Sequence, residues 1–241
     1  MPELPPPLPP EDRTVGQLVA ESIRGYGSHF WAALPLGLPF ALVDQIDLHR
    51  RTIGVQMVVF WLAAPLFVAS YLWAIKLVHD RAPTRTAVLV ALLVFAPFPA
   101  LRAVYILPAI AWFAFIGLAV PAAAIERLGF RDALARGRRL GTADYPHALG
   151  SLATLVIVVS VSSLTLGALL HTQGSSGQRV AVFLSDLVLS PLLFLGGALL
   201  YVDQAARVGS LRPHRRSRRD AHLHPPVDAE PAGRSDPQVE P

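Results

Sequence analysis

Long apolar stretches alternate with short polar connectors along most of this chain. An α-helix rises about 1.5 Å per residue, so roughly 20 apolar residues are needed to cross about 30 Å of hydrocarbon. Most of the stretches approach that length. The pattern predicts an all-α, polytopic membrane protein with about six transmembrane helices. They are expected at residues 30–46, 53–78, 87–101, 104–125, 148–170 and 180–202.

The third and fourth stretches form an ambiguous pair, because residues 86–125 are too long for one helix and barely long enough for two. Pro97 and Pro99 precede Arg102 in the middle of this region, and prolines end helices. A tight hairpin near Pro97 to Arg102 is the simplest solution. A re-entrant pair that never reaches the far side fits nearly as well, and neither alternative changes the orientation of the other spans.

Two connectors predict amphipathic helices that lie along the membrane surface. Thr14 and Gln17 fit a capping box at the start of a helix over residues 14–26. The loop over 126–145 also places apolar residues on one helical face and basic residues on the rest. Arginines beside an anionic leaflet contribute roughly 1 kcal/mol each, which predicts contact with lipid headgroups. The expected contact residues are Arg127, Arg131, Arg136, Arg138 and Arg139.

The two ends of the chain show no apolar periodicity. Residues 1–13 are rich in proline, and residues 208–241 carry a basic cluster followed by acidic residues. Both segments are predicted to be disordered, so the membrane domain covers residues 14–207. A basic tail tethered at a membrane meets anionic lipid first, and lipid is therefore preferred over nucleic acid as its partner.

Composition supports the membrane assignment and excludes several classes of site. Hydrophobic residues make up 53% of the chain and charged residues 16%, against about 25% charged in soluble proteins. The absence of cysteine excludes disulfides, thiolate metal sites and cysteine catalysis. The predominance of arginine over lysine, with abundant alanine and proline, is typical of a bacterial genome of high GC content.

The distribution of Lys and Arg predicts the orientation, because basic flanks are retained in the cytoplasm. With six spans, most basic residues fall on the side of the two termini. The opposite side receives only Arg50, Arg51, Arg102 and Arg179. Both termini are therefore expected in the cytoplasm, with the protein in the plasma membrane.

Asp186 is the acidic residue that lies well inside a predicted span. An ionisable group in hydrocarbon is costly, and it is a candidate for proton or ion coupling. Pairing with Arg102 or Arg179 would lower that cost. The simpler interpretation is that the span begins further along the chain and Asp186 lies among the headgroups.

Asp44, Asp47 and His49 form a second candidate site at the end of the first span. Two carboxylates and an imidazole could hold a divalent ion that activates water. The preferred interpretation is that these residues mark where the helix leaves the lipid, because their spacing is not specific for a metal. No Walker loop, G-x-S-x-G elbow or H-E-x-x-H motif occurs, so no catalytic residue and no cofactor are predicted.

Prolines and hydroxyl residues inside the spans allow two interpretations. Broken helices are typical of transporters, whereas tolerated kinks and packing contacts between helices are common in membrane proteins generally. Kinks and packing are preferred here. The prolines concerned are Pro35, Pro39, Pro65, Pro97, Pro99, Pro108, Pro121 and Pro191.

Several short motifs resemble a known family. They are Thr14 to Leu18, Val120 to Glu126, Gly129 to Leu140, Ser190 to Leu192 and Leu199 to Asp203. Together they resemble the membrane domain found with bacterial glycerophosphoryl diester phosphodiesterases, over roughly residues 14–207. In the fused enzymes the chemistry belongs to a separate soluble barrel of roughly 250 residues, and no catalytic residue carries over. The resemblance implies a stand-alone helical membrane module and no reaction.

The sequence therefore favours a non-enzymatic integral membrane module that contacts anionic lipid, a membrane protein partner or a second copy of itself in a homo-oligomer. The alternative is a small transporter or channel that uses Asp186 and proline-broken helices. A weaker alternative is a lipid phosphodiester enzyme with an outer site at Asp44, Asp47 and His49.

Overall fold

The computed structural model describes residues 9–47, 52–170 and 174–223, and within these ranges all regular structure is helical. The α-helices are α1 (Val15–Ser28), α2 (Phe30–Ala33), α3 (Leu38–Asp47), α4 (Ile53–His79), α5 (Arg85–Phe95), α6 (Phe98–Val104), α7 (Ile106–Ile116), α8 (Ala119–Ile125), α9 (Phe130–Ala143), α10 (Tyr145–Leu170), α11 (Gly174–Leu189) and α12 (Pro191–Leu223). Short 3-10 turns lie at Pro10–Asp12 and Leu34–Gly37.

Five helical segments in the described ranges are long and apolar enough to cross a membrane. Phe30–Ile46 is a shorter apolar segment. The protein is therefore an all-α polytopic membrane protein, as the hydrophobic pattern predicts. The five long segments are Ile53–His79, Arg85–Arg102, Ile106–Ile125, Tyr145–Leu169 and Gly177–Gly209.

The first apolar segment is broken into pieces. Pro35 lies in the first turn of the 3-10 helix between α2 and α3, where its missing amide is tolerated. Gly37 ends that turn against α11, and a Cβ at this position would collide with the backbone of Leu187. The break thus lets α3 approach α11 closely, which brings the end of the first segment into the bundle.

Residues 85–125 form an antiparallel helical hairpin. The Thr84 hydroxyl donates to the carbonyl of Ala123 at 3.3 Å, and the Trp112 indole donates to the carbonyl of Val94 at 2.9 Å. The chain reverses at Tyr105, a few residues beyond the turn expected at Pro97 to Arg102. Both arms are long enough to cross, which favours two full spans over a re-entrant pair.

The displaced turn has a local cause. Pro97 is the N-cap of α6 and Pro99 follows in its first turn, so neither residue removes a hydrogen bond from the helix interior. The prolines therefore restart a helix in the same segment. Pro65, in contrast, lies in the interior of α4, and this helix nevertheless stays continuous over Ile53–His79.

Both amphipathic segments are helices that pack on the bundle. Thr14 and Gln17 make the two hydrogen bonds of a capping box, and Leu18, Ser22 and Tyr26 of α1 are buried. In α9 the buried positions include Gly137 and Gly141, which lie against the backbone of α7, α8 and their junction. The small or apolar face of each helix is thus packed against the other helices of the bundle.

The C-terminal segment differs from the expectation of disorder after residue 207. Helix α12 continues to Leu223, because arginine favours helix and only Pro213 interrupts the pattern. The predictions for residues 1–8 and 224–241 lie outside the described residues.

Candidate functional site

A cavity of about 710 Å³ lies inside the bundle, among α3 to α7 and α10 to α12. This volume falls within the roughly 300–1,000 Å³ of small-molecule sites. Most of its surface is apolar. The cavity is therefore large enough for a small organic molecule, and its lining favours an apolar one.

Phenylalanine rings form much of the cavity wall. Phe67 stands at the centre, with its ring centroid 4.8 Å from that of Phe40 and 6.2 Å from that of Phe194. Such tilted and edge-on arrangements are the preferred geometries of aromatic pairs. The rings come from six helices, which they hold together around the cavity: Phe40, Phe67, Phe95, Phe98, Phe113 and Phe194.

Three charged side chains line the same cavity: Asp44 of α3, Arg102 of α6 and Asp186 of α11. We call these residues the charged cluster. Arg102 Nη2 lies 3.9 Å from Asp44 Oδ1, and the guanidinium stands 4.3 Å from the centre of the Phe60 ring. The carboxyl groups of Asp44 and Asp186 interact with each other as well as with the guanidinium of Arg102. One cation therefore faces two carboxyl groups.

Asp186 is the most buried member of the charged cluster, with 7% of its surface exposed. Its Oδ2 is buried and has no hydrogen-bond partner among the described residues. The neighbouring Ser185 hydroxyl donates to Ser163 Oγ of α10 at 2.7 Å, and Gln45 Nε2 donates to the carbonyl of Arg179 at 2.8 Å. These contacts fix α11 between α3 and α10, so Asp186 is held at the cavity wall.

The charge balance of the cluster limits its chemistry. Two carboxyl groups can share a hydrogen bond only when one of them carries a proton. With that proton, the remaining carboxylate balances the guanidinium of Arg102 and the cluster is neutral. Without it, a net negative charge lies inside the bundle, which is costly in hydrocarbon unless another cation is bound. The cluster is therefore built to hold one additional positive charge.

The structure brings Asp186 and Arg102 to the same cavity, as the coupling hypothesis requires, with Asp44 between them. Asp186 lies within α11, which begins at Gly174, and its side chain is buried at the cavity wall. The alternative that Asp186 lies at the level of the headgroups stays a prediction. Arg179 contacts Gln45 through its carbonyl.

The metal hypothesis for Asp44, Asp47 and His49 is not tested as a set. His49 and the side chain of Asp47 lie outside the described residues. Within the ranges that the structure describes, no group of three His, Cys, Asp or Glu side chains is arranged to hold a metal ion. Asp44 instead belongs to the charged cluster. The sequence signal that singles out Asp186 is weaker for Asp44, because Asp44 lies at the end of the first apolar stretch.

A second polar cluster lies at the opposite end of the bundle. Arg13 Nη1 lies 2.8 Å from Asp203 Oδ1, and Arg207 Nη1 lies 2.7 Å from Asp144 Oδ2. Arg207 Nη2 also donates to the carbonyl of Arg13 at 2.7 Å. We call these four residues the terminal clamp. It joins the segment before α1, the junction of α9 and α10, and α12, and no pattern in the sequence predicts these pairings.

The arginines expected to contact lipid lie on or beside α9. Arg136 Nε donates to Glu126 Oε1 at 2.9 Å, and the Tyr201 hydroxyl donates to the same oxygen at 2.6 Å. Arg136 is therefore tied to the bundle. The exposed members of the set are Arg127, Arg131, Arg138 and Arg139.

No family model matches the chain, and no curated protein and no solved structure is significantly similar to it. The resemblance to the phosphodiesterase membrane domain therefore stays a prediction.

Proposed function

We propose that the protein is a small membrane transporter that binds an apolar molecule in the cavity and uses Asp186 as its coupling group. The observation that carries this proposal is the position of Asp186. Its carboxyl group is buried at the cavity wall, contacts Asp44, and leaves one oxygen without a hydrogen-bond partner among the described residues. Burial of such a group in a membrane is costly, which makes a purely structural role unfavourable.

The breaks in the helices support a transport cycle. The chain is interrupted at Leu34–Gly37, at Ala96–Pro97 and at Ser190, and cavity residues lie close to each interruption. Interrupted helices concentrate bending at a few positions, so the halves on either side can move as rigid units. The cavity could then open to each side of the membrane in turn. The position of these three helix breaks beside the cavity therefore favours the transporter over a passive membrane module.

Accessibility of one cavity position tests the transporter directly. Ser160 lines the cavity, and the chain contains no native cysteine. In oriented membrane vesicles, Ser160→Cys is expected to react with a membrane-impermeant thiol reagent from either side. Thr165→Cys, on the same helix but outside the cavity, is the matched control and is expected to react from neither side. Reaction of Ser160→Cys from one side only would contradict alternating access.

The second candidate function is the lipid-contacting module, which the exposed arginines of α9 favour. Arg131, Arg138 and Arg139 extend from the helix on faces away from its buried glycines. Their replacement by glutamine is expected to reduce co-purification of anionic phospholipid, measured by lipid analysis of the purified protein. Arg136→Gln is the control, because that side chain is tied to Glu126. Unchanged lipid content in the triple variant would remove this candidate.

The proposed setting is a bacterial plasma membrane, with six spans and both termini in the cytoplasm. The terminal clamp supports this topology, because the Arg13–Asp203 ion pair holds the segment before α1 against the middle of α12, the last helix of the described chain. Two chain ends on one side imply an even number of crossings. The excess of basic residues on that side favours the cytoplasm.

A further inference from the structure

We propose that the occupant of the cavity is a hydrophobic molecule with one positive charge, which replaces the proton shared by Asp44 and Asp186. The transport of this molecule rests on the function proposed above, whereas its binding does not. The proposal is carried by three features of the cavity: its charge balance, the unpartnered oxygen of Asp186, and its aromatic walls.

The charges that face the cavity select the sign of the ligand. From the described parts of the helices packed around Asp186, α3 contributes Asp44, α6 contributes Arg102, and α10 contributes the neutral Ser160 and Ser163. An anionic ligand would add a third negative charge to a cluster with one guanidinium. A ligand with two positive charges would leave an excess cation in a low-dielectric site. One positive charge, from a proton or from a ligand, restores neutrality.

The buried oxygen of Asp186 provides the contact point. Asp186 is 93% buried, and its Oδ2 has no hydrogen-bond partner in the described residues although the side chain lines an open cavity. A buried acceptor without a partner costs free energy, and a cationic group beside it removes that cost. The ligand's charge is therefore expected beside Asp186, at the side of the cavity occupied by the charged cluster.

The rest of the cavity suits an apolar, polarisable body. Phenylalanine faces attract cations as well as apolar groups, and Arg102 already lies over the ring of Phe60 at 4.3 Å. Divalent metal ions require several oxygen ligands, and among the described residues no group of three His, Cys, Asp or Glu side chains is arranged to hold a metal ion. An organic cation carries its own apolar surface and needs only one carboxylate. The site is therefore matched to organic cations rather than to metal ions.

Exchange of the ligand for a proton gives a balanced step. The cationic ligand enters, the O–H bond of the shared carboxyl group breaks, and the proton passes to solvent. The charge of the site stays constant throughout. Each binding event is thus expected to release about one proton, and lowering the pH is expected to weaken binding because protons and ligand compete for the same carboxyl groups.

Tetraphenylphosphonium is a suitable probe, because tetraphenylborate has nearly the same shape and the opposite charge. With the full-length protein in lipid nanodiscs, binding of radiolabelled tetraphenylphosphonium is measured by equilibrium dialysis, with empty nanodiscs subtracted. Saturable binding is expected, and tetraphenylborate is expected not to compete for it. Calorimetry in buffers of different ionisation enthalpy is expected to show the release of a proton.

Asp186→Asn is expected to raise the Kd for tetraphenylphosphonium at least tenfold and to abolish both the pH dependence and the proton release. The matched control is Asp80→Asn, an exposed aspartate in a left-handed conformation that asparagine tolerates. It is expected to bind as the native protein does. Phe194→Leu keeps an apolar side chain but removes the aromatic ring, and a several-fold weaker affinity is expected. This variant tests the site even if Asp186→Asn does not fold.

Equal binding of tetraphenylphosphonium by the native protein and a folded Asp186→Asn variant would overturn the proposal, as would saturable binding of tetraphenylborate at the same site. Failure of the transport function gives a different result: proton-linked binding persists, but Ser160→Cys reacts from one side only. Two-sided reaction without any binding of tetraphenylphosphonium would keep the transporter and reject this class of ligand.

Discussion

Asp203 is the most deeply buried charged residue of the described chain, with no exposed surface, and Arg13 neutralises it from a distant part of the sequence. Within the terminal clamp, the ion pair of Arg13 depends on this one carboxylate. Removal of one partner from a buried ion pair leaves the other charge uncompensated, which is more costly than removal of the whole pair. The clamp is therefore expected to show large single-residue effects.

Replacement of Asp203 by alanine is expected to destabilise the protein by about 3 kcal/mol, because Arg13 loses its buried partner. The measurement is reversible unfolding in detergent, followed by circular dichroism. Glu21→Ala is the control, since Glu21 pairs with the well-exposed Arg24 and surface pairs contribute little. Similar losses in the two variants would show that the clamp contributes no more than a surface pair.

Helix α9 shows how small residues determine the packing of an element. A Cβ at Gly137 would collide with the backbone of Ala119, and one at Gly141 with the carbonyls of Ala114 and Phe115. The glycines therefore allow α9 to lie directly on the backbone around the junction of α7 and α8. Its basic face then points away from the bundle.

Gly137→Ala is expected to lower the thermal stability and to expose α9 to trypsin, although alanine favours an isolated helix by about 1 kcal/mol. The physical reason is the collision with Ala119. Gly25→Ala in α1 is the matched control, because a Cβ there meets no atom within 4 Å, and this variant is expected to be as stable as the native protein or more so. Stabilisation by Gly137→Ala would mean that α9 is not held by this contact.

The approximate bounds of the long helices can be predicted from the sequence, whereas the choice of which helices pack against each other cannot. The apolar runs predict α4 and α10, and the Thr14–Gln17 spacing predicts the start of α1. The contact between Asp44 and Asp186 depends on which helices are neighbours. That information is missing from the pattern because faces toward lipid and faces toward protein are equally apolar. The turn at Tyr105 escaped prediction because prolines can start helices as well as end them.

At the scale of the whole molecule, buried and half-buried charged groups are concentrated at two levels along the long axis of the helical bundle. The charged cluster lies toward the end of the bundle that contains the Tyr105 turn, and the terminal clamp lies at the opposite end. Between these levels the core is apolar and aromatic. This arrangement fits a bundle that crosses the membrane with Tyr105 on one side and Arg13 on the other.

Single-cysteine mapping is expected to locate these two ends on opposite sides of the membrane. Ala82→Cys and Thr142→Cys should react with an impermeant reagent from the cytoplasm only, and Tyr105→Cys from outside only. All three positions are exposed. The native chain, which has no cysteine, is the blank. Protection of Tyr105→Cys from both sides would identify residues 85–125 as a re-entrant hairpin and contradict the six-span topology.

Helix α12 connects the two polar levels. It carries Phe194 in the cavity wall and Arg207 in the terminal clamp, and an unbroken helix between them spans about 20 Å. We expect this part of α12 to tilt as a rigid body. A tilt that widens the cavity at Phe194 would then also shift Asp203 and Arg207 relative to their ion-pair partners. Binding in the cavity is therefore expected to change the strength of the terminal clamp, and by thermodynamic linkage the clamp is expected to change the affinity of the cavity by the same factor.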